Sequence, residues 1–179
     1  IAKIATRFGI DVGESDLFGV MREWIQKEKK PVWGTCAGLI FLANKIVGGE
    51  KLGGQTLIGG LDIDVSRNYF GKQIKSFEAE VEPPPTIKKC FSSDRFKNDD
   101  SQNYDGKTYT GVFIRAPAIM KTGKDVQTLS TVETDKGETV AVAVEQGQLL
   151  ATAFHPELTE DTRWHEYFVQ KCMIAAASN

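Results

Sequence analysis

A corner of small residues between two apolar segments constrains the fold more than any other part of the sequence. Residues 31–35 ("PVWGT") run through Cys36 directly into "AGLIFLANKIVGG". The first segment predicts a short buried strand, and the second predicts a helix that Gly48 and Gly49 end. The chain must therefore turn sharply from strand to helix at Cys36.

The order of the other predicted elements indicates one α/β domain. "IAKIATRFG" and "ESDLFGVMREWIQKEKK" predict helices near the start, and "DTRWHEYFVQKCMIAAA" predicts a closing helix. Between them, five segments alternate like strands: "LIGGLDIDVSRNYFG", "QIKSFEAEVEP", "YTGVFIRAP", "TVAVAVEQ" and "QLLATAFHP". The polar stretch "SSDRFKNDDSQNYDGKT" predicts a surface loop. No repeat or linker divides residues 1–179, so we expect a single domain with a mixed sheet.

Charge and cysteine content narrow the class of function. The net charge of -2 and the pI near 5.8 give no electrostatic reason to expect a nucleic acid or a membrane as a partner. No apolar run approaches the roughly 18 residues of a membrane span. The 3 cysteines are widely spaced and lack the close pairs of a zinc site or a disulfide framework. We therefore expect a reducing, cytoplasmic setting.

The corner itself matches a nucleophile elbow with cysteine as the nucleophile. Gly34-Thr35-Cys36-Ala37-Gly38 fits the G-x-nucleophile-x-G pattern, in which small neighbours allow the strained turn. The thiol would lie at a helix N-terminus, where the helix dipole favours a thiolate. The Ala37 N–H would be an oxyanion donor. The alternative is a buried structural cysteine beside glycines that allow close helix packing.

A cysteine nucleophile needs a base, and the chain holds 2 histidines. His155 follows a predicted strand in "AFHPEL", and Glu157 lies two residues further on. Residues i and i+2 of a strand share a face, so Glu157 could orient the imidazole. The alternative for His155 is a hydrogen-bonded structural histidine, and the alternative for Glu157 is a carboxylate at the start of a helix. His165 lies within the last predicted helix, and we expect it on the surface of that helix.

The cysteine elbow followed by His-Pro-Glu resembles the class I (triad) glutamine amidotransferases. "RNYFGKQIKSFEAEV", "GVFIRAPAI", "GTCAGLIFLA" and "LLATAFHPELTEDTRWHEYF" resemble one branch of that family, the glutaminase subunits of pyridoxal 5'-phosphate synthases, especially the plant-type members. The resemblance implies a three-layer, flavodoxin-like α/β fold whose mixed central sheet is mostly parallel and is flanked by helices.

The resemblance also implies an activity and a partner. Cys36 would attack the side-chain amide of L-glutamine to give a γ-glutamyl thioester, with His155 as base and Glu157 as its support. Arg67 would bind the α-carboxylate, while Ile114 and Arg115 would line the same pocket. The ammonia would pass to a (β/α)8-barrel synthase subunit for vitamin B6 biosynthesis. The glutaminase is expected to need no cofactor or metal, and to be weak until the partner docks.

The chain departs from the family at its start. Members carry a strand with Leu-Gln-Gly and a Pro-Gly-Gly-Glu-Ser loop, which supplies a second oxyanion donor, and neither precedes Ile1 here. Either the sequence is an incomplete record of a longer protein, or the chain is truncated. We expect the first, because the triad and pocket residues are intact. Gly13-Glu14-Ser15 follows the first predicted helix, so we interpret it as a loop and N-cap.

Three other functions remain open from the sequence. The chain could be the glutaminase of another synthase, such as that for imidazole glycerol phosphate, although "RNYFGKQ" and "IRAP" argue against it. It could be a catalytically inactive module that binds the synthase. It could also be a cysteine hydrolase of γ-glutamyl peptides, which would use the same triad without a partner.

Overall fold

The computed structural model describes residues 17–48, 56–67, 69–70, 76–85, 108–135 and 137–177. Within these ranges the chain forms helices α1–α3, strands β1–β9 and one 3-10 turn. The helices are α1 (Leu17–Gln26), α2 (Ala37–Leu42) and α3 (Arg163–Ala177), and the 3-10 turn is Pro156–Leu158. The strands are β1 (Val32–Thr35), β2 (Ala43–Ile46), β3 (Leu61–Ser66), β4 (Ser76–Val81), β5 (Tyr109–Ile114), β6 (Ala118–Thr122), β7 (Gln127–Glu133), β8 (Thr139–Gln146) and β9 (Leu149–Thr152).

Two sheets organise the described strands. A 7-stranded sheet has the order β1-β9-β8-β6-β3-β2, with β7 pairing onto β8, and β4 and β5 form a separate 2-stranded sheet. In the larger sheet β1–β9 and β2–β3 are parallel, whereas β3–β6, β6–β8, β7–β8 and β8–β9 are antiparallel. Short turns join β7 to β8 and β8 to β9, and such connections allow only antiparallel neighbours. The predicted mixed sheet is confirmed.

Helices cover both faces of the larger sheet at β1. Successive residues of a strand point to opposite faces. Gly34 packs directly against Gly38 of α2, and α2 contacts α1 through the rings of Phe18 and Phe41. Trp33 instead contacts Phe168 of α3, with ring centroids 5.6 Å apart. The α/β architecture with helices on both sides of a sheet is therefore as predicted.

A chain of aromatic rings fills the core behind the end of β9. Tyr109, Phe113, Phe154 and Trp164 are all buried, and their rings meet at tilted or edge-to-face angles. Such pairs add stability beyond the apolar area that they bury. This cluster fixes the residues that follow β9 against β5 and α3.

The predicted helix after Cys36 is much shorter than expected. α2 ends at Leu42, and Ala43 has φ -62 and ψ 150, an extended backbone. The next residues form β2, which pairs in parallel with β3 through Ala43–Leu61 and Ile46–Val65. Pairing with a neighbouring strand overrode the weak helical preference of this segment. The prediction of a helix as far as Gly48 was wrong.

The sequence also failed to predict β6 and β7. β7 (Gln127–Glu133) is rich in Thr, Ser and Gln, so its apolar alternation is faint, although Leu129 and Val132 are buried. The first predicted helix, the Gly13-Glu14-Ser15 loop, Cys90 and almost all of the polar loop lie outside the described residues. Cys172 is half-buried on α3.

No helix among the described residues is both long enough and apolar enough to cross a membrane.

Candidate active site

The cysteine corner, residues 34–38, is held by close packing. A Cβ on Gly34 would lie 2.5 Å from the carbonyl carbon of Gly38 and 2.8 Å from Leu42 Cδ1. No real Cβ tolerates such a distance, so only glycine fits at this position. Cys36 itself has φ 47 and ψ -100, a conformation that residues with side chains rarely adopt. The strand–turn–helix corner predicted from the sequence is present.

The Cys36 thiol is half-buried, and its electrostatic surroundings oppose ionisation. Burial raises its pKa above the ordinary 9.0, and the Glu157 carboxylate raises it further. The Ala37 N–H and the Arg115 guanidinium lower the pKa, but they do not compensate. α2 is also too short, at 6 residues, to supply a strong dipole. The expectation of a favoured thiolate is therefore not met in the free chain.

The parallel pairing of β1 with β9 brings the far end of the described chain to Cys36. Thr35 is opposite Thr152, and the Cys36 N–H donates to the Thr152 carbonyl oxygen at 2.8 Å. His155 follows three residues later, and its N–H donates to the Val112 carbonyl oxygen at 2.8 Å. Within the described residues the thiol donates to the Ile114 carbonyl oxygen at 3.8 Å, and no hydrogen bond joins it to the imidazole.

The predicted contact between His155 and Glu157 is present. His155 Nδ1 lies 2.8 Å from Glu157 Oε1. The contact forms across a 3-10 turn, however, and not along one face of a strand, since β9 ends at Thr152. Burial acts to raise the pKa of Glu157, but the hydrogen bond from His155 and a backbone N–H outweigh it, so the pKa falls below its usual value. The carboxylate is thus ionised and oriented toward the imidazole.

Side-chain hydrogen bonds anchor the histidine arm, residues 153–159. The Tyr109 hydroxyl lies 2.8 Å from Thr159 Oγ1, and Thr159 Oγ1 also donates to the Pro156 carbonyl oxygen at 3.1 Å. Just beyond the arm, Arg163 pairs with Asp161 at 2.6 Å. Pro156 is buried at the start of the turn. The arm is therefore fixed at both ends, by the sheet at Ala153 and by Tyr109 at Thr159.

The predicted pocket residues divide into two groups. Ile114 ends β5 beside the thiol, and Arg115 follows it with a positive φ of 45. Arg67 follows β3, whose Ser66 pairs with Ala118. Arg67 is exposed, and no contact described in the structure joins it to the corner. The structure thus brings two of the three predicted pocket residues to Cys36.

His165 does not lie on the helix surface as predicted. Its ring packs edge-on against Trp33, with centroids 5.3 Å apart. Its Nδ1 is buried and has no hydrogen-bond partner among the described residues. It also contributes to lowering the pKa of Glu157. The surface prediction for His165 was wrong, because α3 turns this side chain toward β1.

Three residues that support the site were not predicted from the sequence: Trp33, Tyr109 and Thr152. Thr152 left the clearest signal, as a polar residue inside the apolar run "LLATAF". A hydroxyl at such a position must find a partner when it is buried. Within the described residues, no group of three or more His, Cys, Asp or Glu side chains could hold a metal ion.

Comparison with known proteins identifies a family that the chain matches. Residues 5–174 match the SNO glutamine amidotransferase family. The chain is 49% identical to "Probable pyridoxal 5'-phosphate synthase subunit PDX2" of Arabidopsis thaliana over 174 residues, covering 87% of this chain and 62% of the relative. It is 42% identical to the corresponding protein of Dictyostelium discoideum over 161 residues, covering 87% and 60%. The chain therefore spans less than two thirds of the length of these relatives.

A solved structure gives the same result for the fold. A crystal structure described as a glutamine amidotransferase superposes with a TM-score of 0.66 at 33% identity, covering 96% of this chain and 72% of that chain. The family match covers the cysteine corner, the histidine arm and both sheets. The chain belongs to the SNO glutamine amidotransferase family.

Proposed function

We propose that this chain hydrolyses L-glutamine to glutamate and ammonia, as the glutaminase subunit of a pyridoxal 5'-phosphate synthase. Its relatives in Arabidopsis and Dictyostelium are named as subunits of that synthase. The observation that carries the proposal is the parallel β1–β9 pair. A strained cysteine follows one strand, and a hydrogen-bonded histidine–glutamate pair follows the other.

In the first half of the reaction Cys36 is the nucleophile. His155 takes the thiol proton, and the sulfur attacks the side-chain carbonyl carbon of glutamine. The Ala37 N–H stabilises the oxyanion that forms, since this group already faces the sulfur and lowers its pKa. His155 returns the proton to the leaving amide nitrogen. Ammonia departs, and a γ-glutamyl thioester remains on Cys36.

In the second half water replaces ammonia. His155 removes a proton from water, which attacks the thioester carbonyl carbon and releases glutamate with a free thiol. Glu157 keeps His155 Nδ1 occupied, so that Nε2 faces the reacting atoms. The raised pKa of the thiol makes this base necessary, because little thiolate exists at neutral pH without it.

Three residues are proposed to bind the substrate. The Arg67 guanidinium binds the α-carboxylate in this proposal, because its parallel N–H donors match the two carboxylate oxygens. Ile114 and Arg115 line the pocket, and the position of the Ile114 carbonyl beside the thiol supports this role. Because no described contact joins Arg67 to the corner, its role is best tested separately.

The partner is proposed to be a (β/α)8-barrel synthase subunit that receives the ammonia directly. Two features of the free chain support activation by docking: the thiol has a raised pKa, and it donates to Ile114 instead of His155. Docking would release the thiol toward the imidazole. The proposed reaction needs a reduced thiol, so we place it in the cytoplasm, and it needs no cofactor on this chain.

Glutamate release from glutamine, measured with and without the synthase subunit, tests the proposal. The full-length protein is compared with Cys36→Ala, which keeps the corner but lacks the sulfur. We expect release mainly in the presence of the partner and none from the variant.

The other outcomes separate the alternatives. No release from a folded complex would indicate an inactive binding module. Release that is independent of the partner, and faster on γ-glutamyl peptides than on glutamine, would indicate a hydrolase of another kind.

A further inference from the structure

Thr152 is a buried polar residue inside an apolar strand. All four residues of β9 are buried, and Thr152 is 0% exposed. Its Oγ1 accepts a hydrogen bond from Trp33 Nε1 at 3.2 Å and donates to the Phe154 carbonyl oxygen at 3.4 Å. One hydroxyl can fill both roles, because it has one proton and two lone pairs. The side chain thus joins β1 to the histidine arm.

The main chain of Thr152 makes a second connection to the corner. Its carbonyl oxygen accepts the Cys36 N–H at 2.8 Å. The same residue therefore contacts Trp33 within β1 and Cys36 just after β1, and it also contacts the arm just before His155. A strained residue such as Cys36 keeps its conformation only when several surrounding contacts determine it.

Trp33, the donor to Thr152, is itself fixed from the other side. Its ring contacts His165 at 5.3 Å and Phe168 at 5.6 Å between centroids, both on α3. The indole is therefore packed between α3 and β9, and this packing directs its N–H toward the Thr152 hydroxyl. Without that hydroxyl, the Trp33 N–H and the Phe154 carbonyl would both lose a partner.

We propose that the Trp33–Thr152 hydrogen bond is a positioning device that sets the distance between Cys36 and His155. Neither residue reacts, and the inference rests on the proposed glutaminase function. A misplacement of about 1 Å between reacting groups can cost on the order of 10²-fold in rate. A single hydroxyl that is bonded to both sides of the site restrains such a shift.

The test uses three variants of the full-length protein in complex with its synthase subunit. Thr152→Val keeps the shape and removes the hydroxyl, Trp33→Phe removes the indole N–H, and Thr152→Ser restores the hydroxyl. We expect Thr152→Val to lower kcat for glutamine hydrolysis about tenfold. KM should change less than about twofold, because neither side chain lies in the proposed pocket. Thr152→Ser should recover most of the rate.

Coupling between the two residues gives a sharper result. If one hydrogen bond accounts for both losses, the double variant Trp33→Phe/Thr152→Val should be no slower than Thr152→Val alone. Tyr167→Phe is the matched control. It removes a part-buried hydroxyl that donates to Glu145 at 2.7 Å, on the same helix as His165, and we expect it to leave kcat unchanged.

A second readout does not depend on glutamine hydrolysis. Alkylation of Cys36 by iodoacetamide, followed by peptide mass spectrometry, reports the thiolate fraction at each pH. In the complex of Thr152→Val the rate at pH 7 should fall about threefold, and the whole profile should move to higher pH, because docking no longer brings the thiol to the imidazole. Cys172, measured in the same digest, should react equally in all variants.

These readouts distinguish failure of the inference from failure of the proposed function. If the unmodified complex releases glutamate and Thr152→Val matches it in kcat and in alkylation profile, the positioning role is wrong. Losses that are additive, that Thr152→Ser does not restore, or that Tyr167→Phe reproduces would also overturn it. If the unmodified complex releases no glutamate, the proposed function fails, and the alkylation profiles alone decide the inference.

Discussion

The cysteine corner and the histidine arm lie side by side, yet different forces hold them. The corner has a strained backbone, with Cys36 at φ 47, and it is fixed by packing so close that Gly34 has no room for a Cβ. The arm has an ordinary backbone, with His155 at φ -105. Side-chain hydrogen bonds from Tyr109 and Thr159 hold it in place.

This difference bears on how each region responds to change. Close packing of backbone against backbone does not tolerate an added atom, because neither backbone segment can move aside. A hydrogen-bonded arm loses its contacts one at a time, at about 1 kcal/mol for each bond. A single substitution in the corner should therefore destabilise the fold strongly, whereas each substitution in the arm should remove only part of the stability.

The largest effect is expected for Gly34→Ala. Its Cβ would overlap backbone atoms of Gly38, so we expect a loss of about 3 kcal/mol in the free energy of unfolding, measured by urea denaturation. Gly38→Ala is the matched control, because nothing lies within 4 Å of a Cβ there. Equal losses in the two variants would show that close packing does not hold the corner.

Glu157→Gln tests whether the arm works through charge. Glutamine keeps the shape but not the negative charge that holds His155 Nδ1. We expect kcat for glutamine hydrolysis to fall on the order of 10²-fold. This is less than the ~10⁴-fold typical of a buried serine-protease aspartate, because the Glu157 side chain is 50% exposed. A kcat within twofold of the unmodified protein would remove Glu157 from the mechanism.

Tyr109→Phe should weaken the arm by a smaller step. The variant keeps the buried ring and loses the hydroxyl bonded to Thr159, so the free energy of unfolding should fall by about 1 kcal/mol. In Tyr69→Phe an exposed hydroxyl loses its bond to Glu138, and we expect almost no change. If Tyr69→Phe lowered the free energy of unfolding more than Tyr109→Phe does, burial would not explain the strength of the Tyr109 hydrogen bond.

The smallest effect concerns acid stability. The pKa of Glu157 is lowered in the folded chain, so its contribution is fully present above its ordinary value of 4.5 and is lost as the pH falls through the lowered value. The difference in unfolding free energy between the unmodified protein and Glu157→Gln should be about 0.5 kcal/mol at pH 7 and should shrink as the pH falls below 4.5. A difference that stays the same as the pH falls would contradict a lowered pKa of Glu157.

Local features of both the corner and the arm could be predicted from the sequence. Gly34, Cys36 and Gly38 are neighbours in the chain, so their spacing alone predicts the turn. The pairing of His155 with Glu157 was also predicted, although a 3-10 turn replaced the expected strand. Local chemistry sufficed for both, because the partners lie within a few residues of each other.

The residues that the sequence could not predict depend on distant contacts. The segment Ala43–Ile46 is a strand because β3 lies beside it, and His165 is half-buried because Trp33 lies opposite. The raised pKa of Cys36 comes from burial and from Glu157, neither of which a short motif reveals. Such features are set by tertiary packing, which a single sequence does not display.

The pairing of β1 with β9 also decides when the site can exist during synthesis. Trp33 and Thr152, joined by a hydrogen bond, are 119 residues apart in the chain. At a translation rate of about 5–20 residues per second, β9 leaves the ribosome roughly ten seconds after β1. Until then Cys36 lacks the strand that holds its backbone and the histidine that is proposed as its base. On the proposed function, the nascent chain is therefore unable to hydrolyse glutamine before β9 is made.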